Sequence, residues 1–194
     1  MGIAKSLDPT DWIKAAFRAL TAGGTQAVRV EKLARDLGVT KGSFYWHFDD
    51  LPALQSAMLA HWQSVSTDDV IGMAEEAETD LAVLLEGLLI EAVSGAAADY
   101  GGPLAEMAIR EWARSHAGAA HAVALVDQRR LSFLQAQFEN RGLAPDHAAQ
   151  RAALFYATLL GAEVLQARAA LSDATIAAFT QALLADTIAR DPGQ

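Results

Sequence analysis

Apolar residues return at every third or fourth position along most of this chain, and no segment alternates as a half-buried strand would. That spacing builds amphipathic helices and little else. Trp12, Ile13, Ala16, Phe17 and Leu20 share one face of a first helix, expected from Thr10 to Ala22 and ended by Gly23 and Gly24. Val30, Leu33, Ala34 and Leu37 do the same for a second, stopped at Gly38 as a left-handed cap would stop it. A third follows Thr40, a good N-cap residue, and runs to about His47. Asp49 and Asp50 precede a long fourth helix that tolerates Pro52 in its first turn and reaches Ser66 or beyond. Further helices are expected over 79–98, 103–116, 119–141, 145–170 and 173–189, separated by short Gly-, Pro- or Ser-bearing junctions. The expected fold class is all-α, with about nine helices.

Composition narrows the setting. The chain has 194 residues, 52% of them hydrophobic and 20% charged, enough for a sizeable core. It has no cysteine, so neither a disulfide framework nor a thiolate metal site or nucleophile is available. No apolar run is long enough to span a bilayer, and residues 1–12 lack the apolar core of a signal peptide. A cytoplasmic protein without membrane association is the expectation. The net charge of −9 argues at first against a polyanionic partner, but the charge is unevenly spread. Residues 1–62 hold seven Lys/Arg against six Asp/Glu, whereas residues 63–194 hold eight against eighteen. The first third is the only part that phosphate would not repel.

That third contains "VEKLARDLGVTKGSFYWHF". A small Ala34, a Gly38 four residues later and apolar Leu33, Leu37, Val39 and Phe44 are the pattern of a helix-turn-helix. Phe44 and Phe48 lie four apart and belong in a core. Thr40, Lys41, Gly42 and Ser43 form the exposed first turn, which in a recognition helix enters the major groove. Gly42 removes bulk there, and Lys41 can donate to guanine or to phosphate. Tyr45, Trp46 and His47 fall between the core anchors. They are assigned to the contact surface, with core packing as the alternative for each.

The stretch "VEKLARDLGVTKGSFYWHFDDLPALQSAML" resembles the DNA-binding region of the TetR family of transcriptional regulators, over about Trp12 to Leu59. The resemblance rests on Ala34, Gly38, Val39, Lys41, Gly42, Tyr45, His47 and Phe48. It implies phosphate contacts from Thr40, Tyr45 and His47, and groove contacts from Lys41, Gly42 and Ser43. Arg29 stands where the family commonly has a Ser or Thr that caps and touches phosphate; it can reach phosphate but caps poorly. Leu51 stands where the family usually has a basic residue, so one phosphate contact is missing. The resemblance divides the chain into a three-helix DNA-binding domain, residues 1–50, and a helical ligand-binding and dimerisation domain, residues 51–194, with helix four as connector.

The sequence supports the second domain independently in one place. "AALFYATLLGAEVLQARAAL" is apolar around most of its circumference and must be buried on more than one side. Leu154, Ala157, Gly161 and Leu165, with Ile176, Phe179 and Leu183 on the next helix, are the candidate four-helix dimer interface. Trp62, Met73, Leu84, Leu88, Met107, Trp112 and Phe133 are the candidate ligand-pocket residues. Arg110 and His116 accompany Trp112, and Asp127 with Arg130 reads as a surface or interhelical pair.

No phosphate-binding loop, Gly-x-Ser-x-Gly or His-Glu-x-x-His motif is present, and no cofactor, metal or catalytic residue is expected. The expected function is a homodimeric repressor on a palindromic double-stranded DNA operator, released by a small apolar or amphipathic effector. The alternatives are a DNA-binding regulator with no small-molecule ligand, and an all-α interaction module or enzyme carrying a vestigial helix-turn-helix.

Overall fold

The computed structural model describes residues 7–76, 80–94, 100, 104–165 and 172–185. No strand occurs among them. Ten α-helices do: α1 (Pro9–Gly23), α2 (Val30–Asp36), α3 (Lys41–Tyr45), α4 (Leu51–Gln63), α5 (Asp69–Glu76), α6 (Leu81–Ser94), α7 (Leu104–Ala113), α8 (Ala117–Asn140), α9 (Pro145–Leu165) and α10 (Asp173–Ala185). The all-α expectation holds. The helix beyond the expected nine arises because the long fourth helix is interrupted. Its α-helical part ends at Gln63, a π-helical turn occupies Ser64–Asp68, and α5 follows directly. Parts of the junctions expected near 75–80, 101–103 and 171–173, and the expected helix ends beyond Leu165 and Ala185, lie outside the described residues.

Local chemistry explains the ends. Asp8 and Asp11 form a capping box at α1, each side chain accepting the other's backbone N–H at 3.0 Å. The acceptor role favours the charged carboxylate, and the Asp11 N–H holds Asp8 below the ordinary aspartate range. Asp50 caps α4 by accepting from Ala53 N at 2.8 Å, ahead of the tolerated Pro52. Gly142 stops α8 at φ +90°, where its N–H and that of Leu143 return to the Glu139 and Phe138 carbonyls.

The chain forms two compact units, Met1–Val65 with Ala97–Val123, and Ser66–Ala96 with Ala124–Gln194. In the first, α1 packs against α2, α4 and α7. Trp12, Phe17 and Leu20 of α1, Leu33, Phe44, Leu54, Met58 and Ile109 are almost wholly removed from water. Trp12 meets Phe44 edge-on, with ring centroids 5.3 Å apart, a geometry that aligns ring edge with ring face. Each such side chain contributes about 1.5–3 kcal/mol through burial.

In the second unit α6 packs against α9 and α10. Leu81, Leu85 and Leu89, Phe138, Ala148, Ala152 and Phe155, and Ile176 with Leu183 form one apolar cluster. A polar cluster lies in the same unit. Tyr156 donates its hydroxyl to Asp127 at 2.6 Å and accepts from Arg130 at 3.4 Å. Arg130 also donates to Thr67 Oγ1 at 3.1 Å and to the Ser66 carbonyl at 3.0 Å, and Arg129 pairs with Asp68. Asp127 and Arg130 both lie on α8, so the expected pair is not interhelical; Tyr156 of α9 bridges the two, and Arg130 is fastened to the π turn.

Candidate nucleic-acid interface

The α2–turn–α3 segment is built by backbone geometry that the sequence dictates. Gly38 sits at φ +71°, a region that costs an L-residue about 1–2 kcal/mol. That conformation lets Val39 N donate to the Ala34 carbonyl at 2.9 Å and Gly38 N to the Arg35 carbonyl at 3.1 Å. These two bonds are the Schellman pattern, and they satisfy carbonyls that the end of α2 would otherwise leave open. Ala34 is buried, and its small side chain lets α3 approach.

α3 is then divided by its own periodicity. Phe44 is wholly buried and Phe48 nearly so, with ring centroids 5.6 Å apart. Thr40, Lys41, Gly42, Tyr45 and Trp46 are exposed, and Ser43 and His47 half-buried. Tyr45 is 60% and Trp46 88% exposed, which excludes the core-packing alternative for both. Thr40 occupies the N-cap position of α3, but its side chain makes no capping bond, so the expected cap is a backbone feature only. Arg29 is exposed at the N-cap of α2 and likewise makes no side-chain cap. Leu51 is half-buried at the first position of α4.

Two charged residues of this surface were not singled out by the motif. Glu31, in the first turn of α2, accepts from Lys41 Nζ at 2.6 Å. That contact is the main reason the Glu31 carboxyl lies below the ordinary glutamate range. Arg35 is exposed one turn beyond Glu31. No local spacing rule joins residues ten apart, so only the packing of α3 on α2 reveals the Glu31–Lys41 pair.

Residues 13–54 match the sequence profile of the bacterial regulatory proteins, tetR family. The helix-turn-helix is similar to that of the tetR family. The tetR-like fold extends over the rest of the chain. A transcriptional regulator from Rhodococcus sp. RHA1 superposes with a TM-score of 0.72 at 18% identity, covering 94% of this chain and 97% of that one. A protein from Saccharomonospora viridis assigned as a transcriptional regulator, solved with choline, gives 0.70 at 14%, covering 91% and 95%. The regulator FadR from Bacillus subtilis, solved with stearoyl-CoA, gives 0.65 at 16%, covering 92% and 97%. No curated protein is a significant sequence match. The likeness to tetR-family DNA-binding domains is thus confined to residues 13–54, and the solved structures extend the likeness of fold, at 14–18% identity, over most of the chain.

The candidate pocket residues fall in both compact units. Trp62 and Trp112 are buried and Met107 half-buried in the first. Leu84, Leu88 and Phe133 are half-buried against the apolar cluster of the second, where Met73 is exposed instead. Arg110 pairs with Glu106 at 2.7 Å. His116 stacks on Trp112 and accepts from Ala119 N at 3.1 Å, so it caps α8.

The candidate dimer residues also divide. Leu154 and Ala157 of α9 are exposed and Gly161 half-buried; the Leu165 side chain lies outside the described residues. Ile176 and Leu183 are buried in the chain's own core, and Phe179 packs against it. Ile176 and Leu183 therefore have no surface to offer a second copy, because the apolar face of α10 that they share is consumed by α6. Among the described residues no helix is long and apolar enough to cross a membrane, and no cluster of His, Cys, Asp or Glu is disposed to hold a metal ion.

Proposed function

We propose that the protein is a homodimeric repressor that binds a palindromic operator and is released by a small apolar or amphipathic effector. It acts in the cytoplasm and has no catalytic activity. The observation that carries the DNA-binding half is the exposed Thr40–Gly42 turn, with half-buried Ser43 and exposed Tyr45 and Trp46, held over buried Phe44 and Phe48. Lys41, Gly42 and Ser43 address base edges. Arg29, Thr40, Tyr45 and His47 hold the backbone, and Trp46 adds apolar contact at its edge.

Two recognition helices are needed to read two half-sites about one DNA turn apart. Leu154 and Val164 are large apolar side chains left exposed on α9, with Ala157 between them. A second copy covering that stripe would remove the cost of exposing it to water. Residues 1–50 then act as the DNA-binding part and residues 51–194 as the effector and dimer part. The effector reading is supported by the folds solved with choline and with stearoyl-CoA. Leu84, Leu88 and Phe133 are the nominated contacts in the second unit, and Trp62, Met107 and Trp112 those in the first. The effector acts by linkage: it binds more tightly to the dimer whose recognition helices are wrongly spaced. Helix α4, with the π turn that follows it, carries the coupling.

The test is binding to DNA upstream of the protein's own gene, titrated with salt, for wild type and a Lys41→Ala, Tyr45→Ala double variant. Wild-type binding should weaken with salt and collapse in the variant. If neither that DNA nor any sequence selected from a genomic pool is bound, the reading is wrong.

A further inference from the structure

The Glu31–Lys41 pair has no role in the fold's core. Both side chains are more than half exposed, 59% and 57%, so the contact is a feature of the surface that faces DNA in the reading above. A carboxylate there is a burden for phosphate contact. It neutralises the lysine and repels the polyanion. An acceptor beside a donor does, however, match a base pair edge. The 2.6 Å between Lys41 Nζ and Glu31 Oε1 is of the same order as the roughly 2.9 Å between hydrogen-bonded groups of a base pair.

In the major groove a G·C pair presents guanine O6 and N7 as acceptors next to the cytosine N4 amino donor. An A·T pair also offers one donor and one acceptor, N6 and O4, but in worse surroundings. Adenine N7 lies beside N6 and repels a carboxylate. The thymine methyl lies beside O4 and crowds an ammonium. At G·C the N7 beside O6 instead gives the ammonium a second acceptor. We propose that Glu31 is a specificity-determining residue: with Lys41 it reads one G·C pair in each half-site, Glu31 accepting from cytosine N4 while Lys41 donates to guanine. The inference rests on the DNA-binding reading. Glu31 lowers affinity for every sequence in which that cytosine amino group is missing, so the pair acts as a filter as well as a contact.

The experiment is selection from randomised duplexes with the full-length protein, comparing wild type, Glu31→Ala, Glu31→Gln and Asp36→Asn. Asp36 forms the neighbouring pair with Lys32, also at 2.6 Å, on the same helix. It controls for loss of any acidic charge. Wild type should fix a G·C pair at one step of each half-site. Both Glu31 variants should lose that preference by about tenfold, corresponding to one base contact, with the other steps unchanged. Their affinity for unselected DNA should rise. Asp36→Asn should change affinity without changing base choice. Thermal melting of each variant confirms folding, and the near-isosteric Glu31→Gln keeps the test open if the alanine variant melts early. The inference is overturned if the Glu31 variants select the same bases as wild type, or if wild type fixes no G·C pair. If wild type enriches no DNA at all, the regulator reading falls and this inference with it.

Discussion

The two compact units handle polar chemistry in opposite ways. In the helix-turn-helix unit the candidate contact groups point outward. Lys41, Tyr45 and Trp46 stand exposed over an aromatic core, and adjacent residues of α3 have separate duties. In the second unit the conspicuous polar groups point inward and satisfy one another. Tyr156, Asp127, Arg130 and Thr67 are joined through side-chain hydrogen bonds. One unit leaves these groups at its surface, whereas in the other they hold its own helices together. Substitutions in the first should therefore separate binding from stability, except at core anchors. Substitutions in the second should not.

The strongest way to break this comparison is at the anchor itself. Phe44→Ala should cost about 3–5 kcal/mol, because a wholly buried ring leaves a cavity between α1 and α3. Urea unfolding would read it. A loss under about 1 kcal/mol would mean that α3 is not seated on this core.

A sharper test applies one chemical change to both units. Tyr156→Phe deletes a hydroxyl that both donates to Asp127 and accepts from Arg130, and should cost about 1–3 kcal/mol by removing two hydrogen bonds to charged groups. Tyr45→Phe deletes an exposed hydroxyl and should leave the unfolding midpoint within error. It should instead weaken DNA binding with little change in the salt slope, because a neutral hydroxyl contact to phosphate releases no counterion. If Tyr45→Phe destabilises and Tyr156→Phe does not, the assignment of roles is reversed.

Gly38→Ala should follow in size, at about 1–2 kcal/mol, since φ +71° strains any residue with a Cβ even though no atom lies within contact of one there. Its effect should fall on stability and on DNA affinity together, because the same turn sets the angle of α3. Unchanged DNA affinity in the folded variant would separate the turn from recognition.

How much of this was written in the sequence follows the same division. The helix-turn-helix was legible because its signals are local: Gly38 four residues after Ala34, and Phe44 four before Phe48. Exposure of Tyr45 follows from the same spacing. The Glu31–Lys41 contact was not legible, because it needs the packed angle of two helices. The second unit was legible as helices but not as a site. Periodicity shows that α10 has an apolar face with Ile176 and Leu183, but not whether its own chain or a second copy covers that face; the structure shows its own chain. The π turn at Ser64–Asp68 carries no proline or glycine to announce it. Its anchors Arg129 and Arg130 lie more than sixty residues away.

The smallest expected effect is a dependence on pH that both units share. Asp8, Glu31 and Asp80 all have their carboxyls held below the ordinary range. The leading causes are the Asp11 N–H for Asp8, the Lys41 hydrogen bond for Glu31, and the Ala82 N–H followed by Arg141 for Asp80. A carboxyl that is more acidic folded than unfolded binds fewer protons when folded. Its contribution is fully present above the unfolded value of about 4, and is lost as pH falls through the folded value. Unfolding midpoints should therefore be flat with respect to these groups from pH 7 to 5 and drop below about pH 4. All three sites are solvent-exposed, so salt should shrink the drop. Asp8→Asn and Asp80→Asn should each flatten the acid limb slightly, one in each unit. Glu31→Gln should flatten it too, while altering base choice at neutral pH, which neither of the others should do. If Glu31→Gln changes only the acid limb, then Glu31 belongs with Asp8 and Asp80 as a structural carboxylate, and the outward-facing unit has one fewer group reserved for DNA.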